Sequence, residues 1–127
     1  MKAEQNLVTS AFAQTLGCRF LEVANGKASV ALTHQPHLAN RGQQMHGGAI
    51  FSLIDTAVGM ACSSAHGFDQ QSVTVECKVN YIRGVSEGEV VCEATVIHAG
   101  RRTLVVEAKV MQNTKLIATA QGTFAMV

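Results

Sequence analysis

Apolar and polar positions change rhythm several times along this chain, and each rhythm predicts an element. Leu7, Ala11, Phe12 and Leu16 recur at helical spacing, which predicts a short amphipathic helix over residues 3 to 16, stopped by Gly17. From Arg19 to Leu32 the period drops to two around Asn25-Gly26, a dipeptide that favours a tight hairpin turn. Ala28, Val30 and Leu32 then share one strand face, with Lys27, Ser29 and Ala31 on the other. His34 to Gln44 carries the only proline and reads as loop. After residue 70, Val73, Val75, Cys77, Val79 and Tyr81 alternate with Thr74, Glu76, Lys78 and Asn80. Val90, Cys92, Ala94 and Val96 do the same, as do Leu104, Val106, Ala108 and Val110 after a turn at Gly100-Arg101. A last strand is expected from about Lys115 to Met126, following a turn near Asn113. Such alternation suits an antiparallel sheet packed on one face and partly wet on the other.

The segment between these strands behaves differently. Ile50, Phe51, Leu53, Ile54, Ala57, Val58, Met60 and Ala61 occupy nearly every side of a helical wheel, as in a buried or membrane-spanning helix. The apolar run from Ala49 to Cys62 is shorter than the ~20 residues a bilayer needs, and Asp55 interrupts it. A central helix enclosed by a sheet is therefore expected, and with it an α+β fold. The length, 127 residues, fits one domain over residues 1–127.

Composition narrows the function classes. A hydrophobic fraction of 47% with only 15% charged residues suggests that another subunit covers part of the surface. A net charge of +1, no Trp and one Tyr argue against a nucleic-acid module, which needs a basic face and stacking platforms. Cys18, Cys62, Cys77 and Cys92 lack the close pairing of a zinc or redox site and read as structural thiols, so no metal is expected. The N-terminus lacks the apolar block of a signal peptide, and a cytoplasmic, reducing location with no membrane partner is the expectation.

Within the apolar segment, His46 is the only imidazole and Asp55 the only carboxylate between Gln43 and Ser64. An unpaired buried carboxylate costs several kcal/mol, so Asp55 must be neutral, hydrogen-bonded or facing a polar cleft. His46 precedes Gly47 and Gly48 where loop meets helix, so both glycine amides fall among the N–H groups without intrahelical acceptors. Such amides approach an oxygen closely and carry the positive end of the helix dipole, which makes an oxyanion site for acyl chemistry. Each feature alone also has a structural reading: a satisfied Asp, a helix-start His, a tight Gly-Gly junction. His46 and Asp55 are nine residues apart, roughly 13 Å along a helix at ~1.5 Å per residue. They cannot meet one reacting carbon from the same helix, so a shared site requires a second copy across a two-fold axis.

Asn40, His46-Gly47-Gly48, Ser52 and Asp55-Thr56-Ala57, in the pattern N-x(5)-HGG-x(3)-S-x(2)-D-T-A, resemble the hotdog-fold acyl-CoA thioesterases, closest to their phenylacetate-degradation (PaaI-like) branch. The stretches VTVECKVNYIRG and HAGRRTLVVEAKV are similar to strands of that branch, and the likeness runs from about residue 18 to the end. The resemblance implies a hotdog fold, a long helix wrapped by an antiparallel sheet, paired into homodimers that assemble into a homotetramer. It implies hydrolysis of an acyl-CoA, without a cofactor, by Asp55 as general base or nucleophile. The Gly47 amide of the neighbouring subunit would hold the oxyanion, with Gly48 beside it. Asn40 and His46 would orient thioester or water, and Thr74 would help place the water. Arg83, Arg101 and Arg102 would meet the CoA phosphates, unless they are plain surface arginines. Related hotdog proteins include dehydratases, and an acyl-CoA binding module without turnover is the non-enzymatic alternative. The nine-residue spacing disfavours a hydratase or dehydratase, whose Asp and His stand closer on the same helix start.

Overall fold

The computed structural model describes residues 10–127. In chain order it has α1 (Ala11–Leu16), β1 (Arg19–Ala24), β2 (Lys27–Thr33), a single 3-10 turn (Pro36–Leu38), α2 (Gly47–His66), β3 (Ser72–Tyr81), β4 (Glu89–Ala99), β5 (Thr103–Gln112) and β6 (Lys115–Met126). All six strands pair antiparallel in one sheet of order β1-β2-β4-β5-β6-β3. This is the α+β hotdog arrangement: one long helix lies against a sheet that curls around it.

Local chemistry explains the boundaries. Of the helix expected over residues 3 to 16, the part over 3 to 9 lies outside the described residues. The described part starts at Ser10, whose hydroxyl accepts from the Ala13 amide. It ends at Gly17, which takes the left-handed conformation (φ 97°) that side chains resist. Asn25 and Gly26 both have positive φ, 54° and 77°, as the tight hairpin turn between β1 and β2 requires.

The helix α2 runs 20 residues, longer at both ends than the apolar run 49–62 suggests, and so has the length of a bilayer span. Its buried residues are Ala49, Ile50, Leu53, Ile54, Ala57, Val58, Ala61 and Cys62, a single stripe packed against the sheet of its own chain. Leu53 and Ile54 are wholly buried there, each worth about 1.5–3 kcal/mol of apolar transfer. The long central helix with an antiparallel sheet around it is the expected arrangement. Ser52, Asp55, Thr56, Gly59 and Ser63 form a second, polar stripe that the sheet leaves partly open.

A second departure lies in β3. The sequence alternation puts Val73 and Val75 on one packed face with Cys77 and Val79. The ladder with β6 instead slips between Thr74 and Glu76, leaving Val75 as an extra residue in a bulge. The bulge inverts the pattern: Thr74 pairs with buried Phe124 and faces α2, while Val73 and Val75 are 49% and 60% exposed. Beyond the bulge, Cys77 and Val79 return to the core side. β3 is also the last strand of the sheet, so among the described residues one side of its backbone has no strand neighbour.

Candidate active site

The polar stripe of α2 and the bulge of β3 meet at Asp55. Thr74 Oγ1 donates to Asp55 Oδ1 at 2.9 Å, which holds one carboxylate oxygen, and among the described residues no hydrogen-bond donor engages Oδ2. Asp55 is half-buried, as a carboxylate facing a cleft should be. The nearby Cys77 thiol is pushed up from its usual value, first by burial and then by the negative charges of Asp55 and Glu76.

Asp55 and Thr74 both line a cavity of about 380 Å³. Its apolar lining is largely aromatic, with Phe12 from α1, Phe20 from β1, Met60 from α2, Phe68 from the α2–β3 loop and Phe124 from β6, and Ser10, Thr56 and Ser63 add polar surface. Gly59, one turn beyond Asp55, leaves part of that space open, since a Cβ there would come no nearer than 3.7 Å to the Phe124 ring. Met60 is the large apolar side chain of α2 that lines this cavity. Ile54 is fully buried in the core, and Phe51 faces outward.

The start of α2 has its own arrangement. His46 is the N-cap, and its Nδ1 accepts from the Gly48 amide at 2.8 Å. The Gly48 N–H is thereby engaged. Gly47 is the first helical residue, so its N–H has no acceptor within the helix. Tyr81 donates its hydroxyl to the Gly47 carbonyl at 3.0 Å, and its ring lies about 3.5 Å from where a Gly47 side chain would begin. His46 and Gly48 line a separate shallow cavity with Leu16, His37 and Leu38, while Asp55 lines the larger one. Within one chain the structure therefore keeps His46 and Asp55 apart, as their spacing requires.

Asn40 works inside its own loop. Its Oδ1 accepts from the amides of Gly42 (2.8 Å) and Gln44 (3.1 Å), and its N–H donates to the Gln44 carbonyl (2.7 Å). The Asn40 side chain thus shapes the turn that delivers His46, and only its amide nitrogen is left to face a ligand.

The arginines divide into two groups. The Arg83 amide donates to the Ile117 carbonyl at the start of β6, whereas the Arg102 carbonyl accepts from the Met126 amide at its end. Nine residues of strand separate those points, roughly 30 Å. Arg83 therefore stands at the Gly47 end of the helix, and Arg101 and Arg102 stand at the His66 end. One phosphate group cannot meet both groups in a single copy.

Sequence reasoning missed the aromatic walls and Tyr81. Phe12, Phe20, Phe68 and Phe124 are scattered over the chain, and only the tertiary fold gathers them. The polar stripe 52-55-56-59-63, at helical spacing, was the available signal for an open face on α2. Among the described residues no three His, Cys, Asp or Glu side chains converge as a metal-binding cluster.

Residues 42–118 match the family profile described as thioesterase superfamily. The chain is similar to acyl-coenzyme A thioesterase PaaI of Escherichia coli, at 32% identity across 88% of this chain and 79% of that protein. Among solved structures it superposes on a conserved protein of Pseudomonas aeruginosa with a TM-score of 0.93 and 57% identity, covering 94% of this chain and 95% of that one. It also superposes on the E. coli PaaI protein from the phenylacetic acid degradation operon, with a TM-score of 0.88 and 30% identity over 94% of this chain and 86% of that one.

Proposed function

Because the chain belongs to the thioesterase superfamily, we propose that it hydrolyses an acyl-CoA thioester to the free acid and CoA, with Asp55 as the catalytic carboxylate. The observation that carries this reading is the Asp55–Thr74 pair lining an aromatic-rich cavity large enough for an acyl group. A cavity of about 150 Å³ already holds benzene, so 380 Å³ leaves room for a substituted ring or a chain of moderate length.

In this reading the acyl group enters the cavity beside Met60 and Phe124, and the thioester carbonyl carbon stops near Asp55. Asp55 Oδ2 either takes a proton from a water that attacks the carbonyl or attacks the carbonyl itself. The bond from Thr74 to Oδ1 favours the first course, because it orients the carboxylate and withdraws charge from it. Negative charge then develops on the carbonyl oxygen. The donor that meets it is the Gly47 N–H, presented at a helix N-terminus where donors are preorganised. Collapse of the tetrahedral intermediate expels CoA as its thiolate, which in the first course takes up the proton from Asp55; in the second, water then cleaves the acyl–Asp55 anhydride to the free acid and restores the carboxylate.

The Gly47 amide in that step belongs to a second copy of the chain. Asp55 and Gly47 are eight residues apart along one helix, about 12 Å, too far to share a carbonyl group. The open edge of β3, with exposed Val73 and Val75, supports two-fold pairing of this strand with its counterpart. Antiparallel pairing there turns the partner's helix start toward Asp55. It also carries the partner copy's Arg83 toward the end that bears Arg101 and Arg102, where the three could share the CoA phosphates. The whole chain, residues 1–127, acts as one domain in this scheme, and dimers pair further into a tetramer.

The test is release of free thiol across a panel of acyl-CoAs, using the native protein and Asp55→Asn. Turnover in the first and its loss in the second, with acyl-CoA binding retained, is the expected result. No release across aryl, short and medium acyl groups would overturn the reading in favour of a binding module.

A further inference from the structure

His46 stands in a defined tautomer. A backbone N–H can only donate, so the bond from Gly48 N–H to Nδ1 at 2.8 Å leaves Nδ1 without a proton. The neutral ring then carries its hydrogen on Nε2, and that N–H is the one donor the side chain can offer to a ligand.

The donor of that bond is itself engaged from behind. The Gly48 N–H and the Gly47 C=O belong to one peptide group, and the Gly47 oxygen accepts from the Tyr81 hydroxyl at 3.0 Å. An unbroken run follows, from Tyr81 O–H through the Gly47 carbonyl and the Gly48 amide to His46 Nδ1. Each hydrogen bond in such a run polarises the next. Burial, and then the nearby Cys77, raise the Tyr81 hydroxyl above its usual value of 10, so it stays protonated and able to donate. Strand β3 ties down α2 by hydroxyls at its middle and at its start: Thr74 at Asp55 and Tyr81 at Gly47.

We infer that Tyr81 is a positioning residue. Through the Gly47–Gly48 peptide it holds His46 as the Nε2–H tautomer, so that His46 gives the thioester oxygen a hydrogen-bond donor beside the Gly47 amide rather than acting as a base. The inference rests on the thioesterase reading for its catalytic meaning, but its structural half stands on the hydrogen bonds alone.

Tyr81→Phe removes only the hydroxyl and keeps the ring against Gly47. Two readouts apply: kcat and KM with an acyl-CoA that the native protein turns over, and the imidazole ¹⁵N spectrum of His46, which distinguishes a bare from a protonated Nδ1. The expected result is a kcat lower by about fivefold, the factor for one hydrogen bond of ~1 kcal/mol, at nearly unchanged KM. His46 is expected to shift from a single tautomer toward a mixture. An unmoved tautomer overturns the inference, as does an unchanged kcat. A native protein that cleaves no thioester would contradict the proposed function, and the spectrum would still decide whether Tyr81 sets the tautomer.

Discussion

Thr74 reaches Asp55 because Val75 does not fit the ladder. The bulge between Thr74 and Glu76 turns Thr74 inward, where its hydroxyl donates to Asp55 Oδ1 at 2.9 Å. Thr74→Val keeps the shape and deletes that bond. Hydrogen bonds to charged groups contribute about 1.5–3 kcal/mol, so kcat should fall roughly 10- to 100-fold with KM little changed. Asp55→Asn should fall further, by roughly 10²–10⁴-fold. A Thr74→Val protein with native kcat would remove Thr74 from the site.

The same bond bears on how Asp55 acts. Single-turnover hydrolysis in H₂¹⁸O should put the label in the free acid, with none in Asp55, if the carboxylate activates water. Label recovered in a peptide containing Asp55 would show direct attack through an anhydride.

Gly59 controls the room beside the carboxylate. Gly59→Ala should be mild, because its new Cβ meets Phe124 at an ordinary 3.7 Å. Gly59→Leu should fill the cavity, lowering kcat/KM for bulky acyl-CoAs by roughly 10- to 200-fold while sparing acetyl-CoA. An equal loss for small and bulky acyl groups would place the acyl chain elsewhere.

Val75 lies at 60% exposure on the free edge of the sheet. A charge on such an edge opposes strand pairing. Val75→Lys should lower the mass measured by sedimentation to that of one chain and abolish hydrolysis together with it. A fully active single-chain species would contradict a shared site.

The thiols make stability depend on alkaline pH. Burial pushes Cys62 from 9.0 up to about 11, and burial foremost pushes Cys92 up to about 12. Below pH 9 both forms of the chain keep these protons. Above it the unfolded chain loses them first, so stability should decline as pH rises from about 9 to 12. Denaturant titrations across that range should show the decline, and Cys92→Ala should flatten it. Both thiols should also resist alkylation at pH 8 in the native state, since little thiolate forms there.

Much of this was legible in the residues. Period-two alternation marked β2, β4 and β5 closely, a turn near Asn113 marked the start of β6, Asn25-Gly26 marked the first hairpin, and His46-Gly47-Gly48 marked the start of the long helix. The bulge in β3 was not legible, because Val73, Thr74, Val75 and Glu76 alternate cleanly in sequence and only the ladder with β6 shows the extra residue. The open face of α2 was written in Ser52, Asp55, Thr56, Gly59 and Ser63, but the surrounding apolar residues masked it. Which arginines stand together could not be read from strand ends alone, since Arg83 and Arg102 are separated by the register of β6. Tyr81 looked like one more residue of an alternating strand, and its hydroxyl gained meaning only where β3 ends against Gly47.

The central claim is that each site takes Asp55 from one copy and the Gly47 amide from the other, and subunit mixing tests it most directly. Gly47→Pro suits this purpose. Proline is accepted at the first position of a helix, it lacks the N–H in question, and His46 already has the extended backbone (φ −60°, ψ 140°) that precedes a proline. Asp55→Asn and Gly47→Pro proteins should each be inactive alone. Dissociated, mixed and reassociated in equal amounts, they should regain about a quarter of native activity, because half the dimers are mixed and each of those holds one intact site. A mixture that stays as inactive as its components would contradict the shared site.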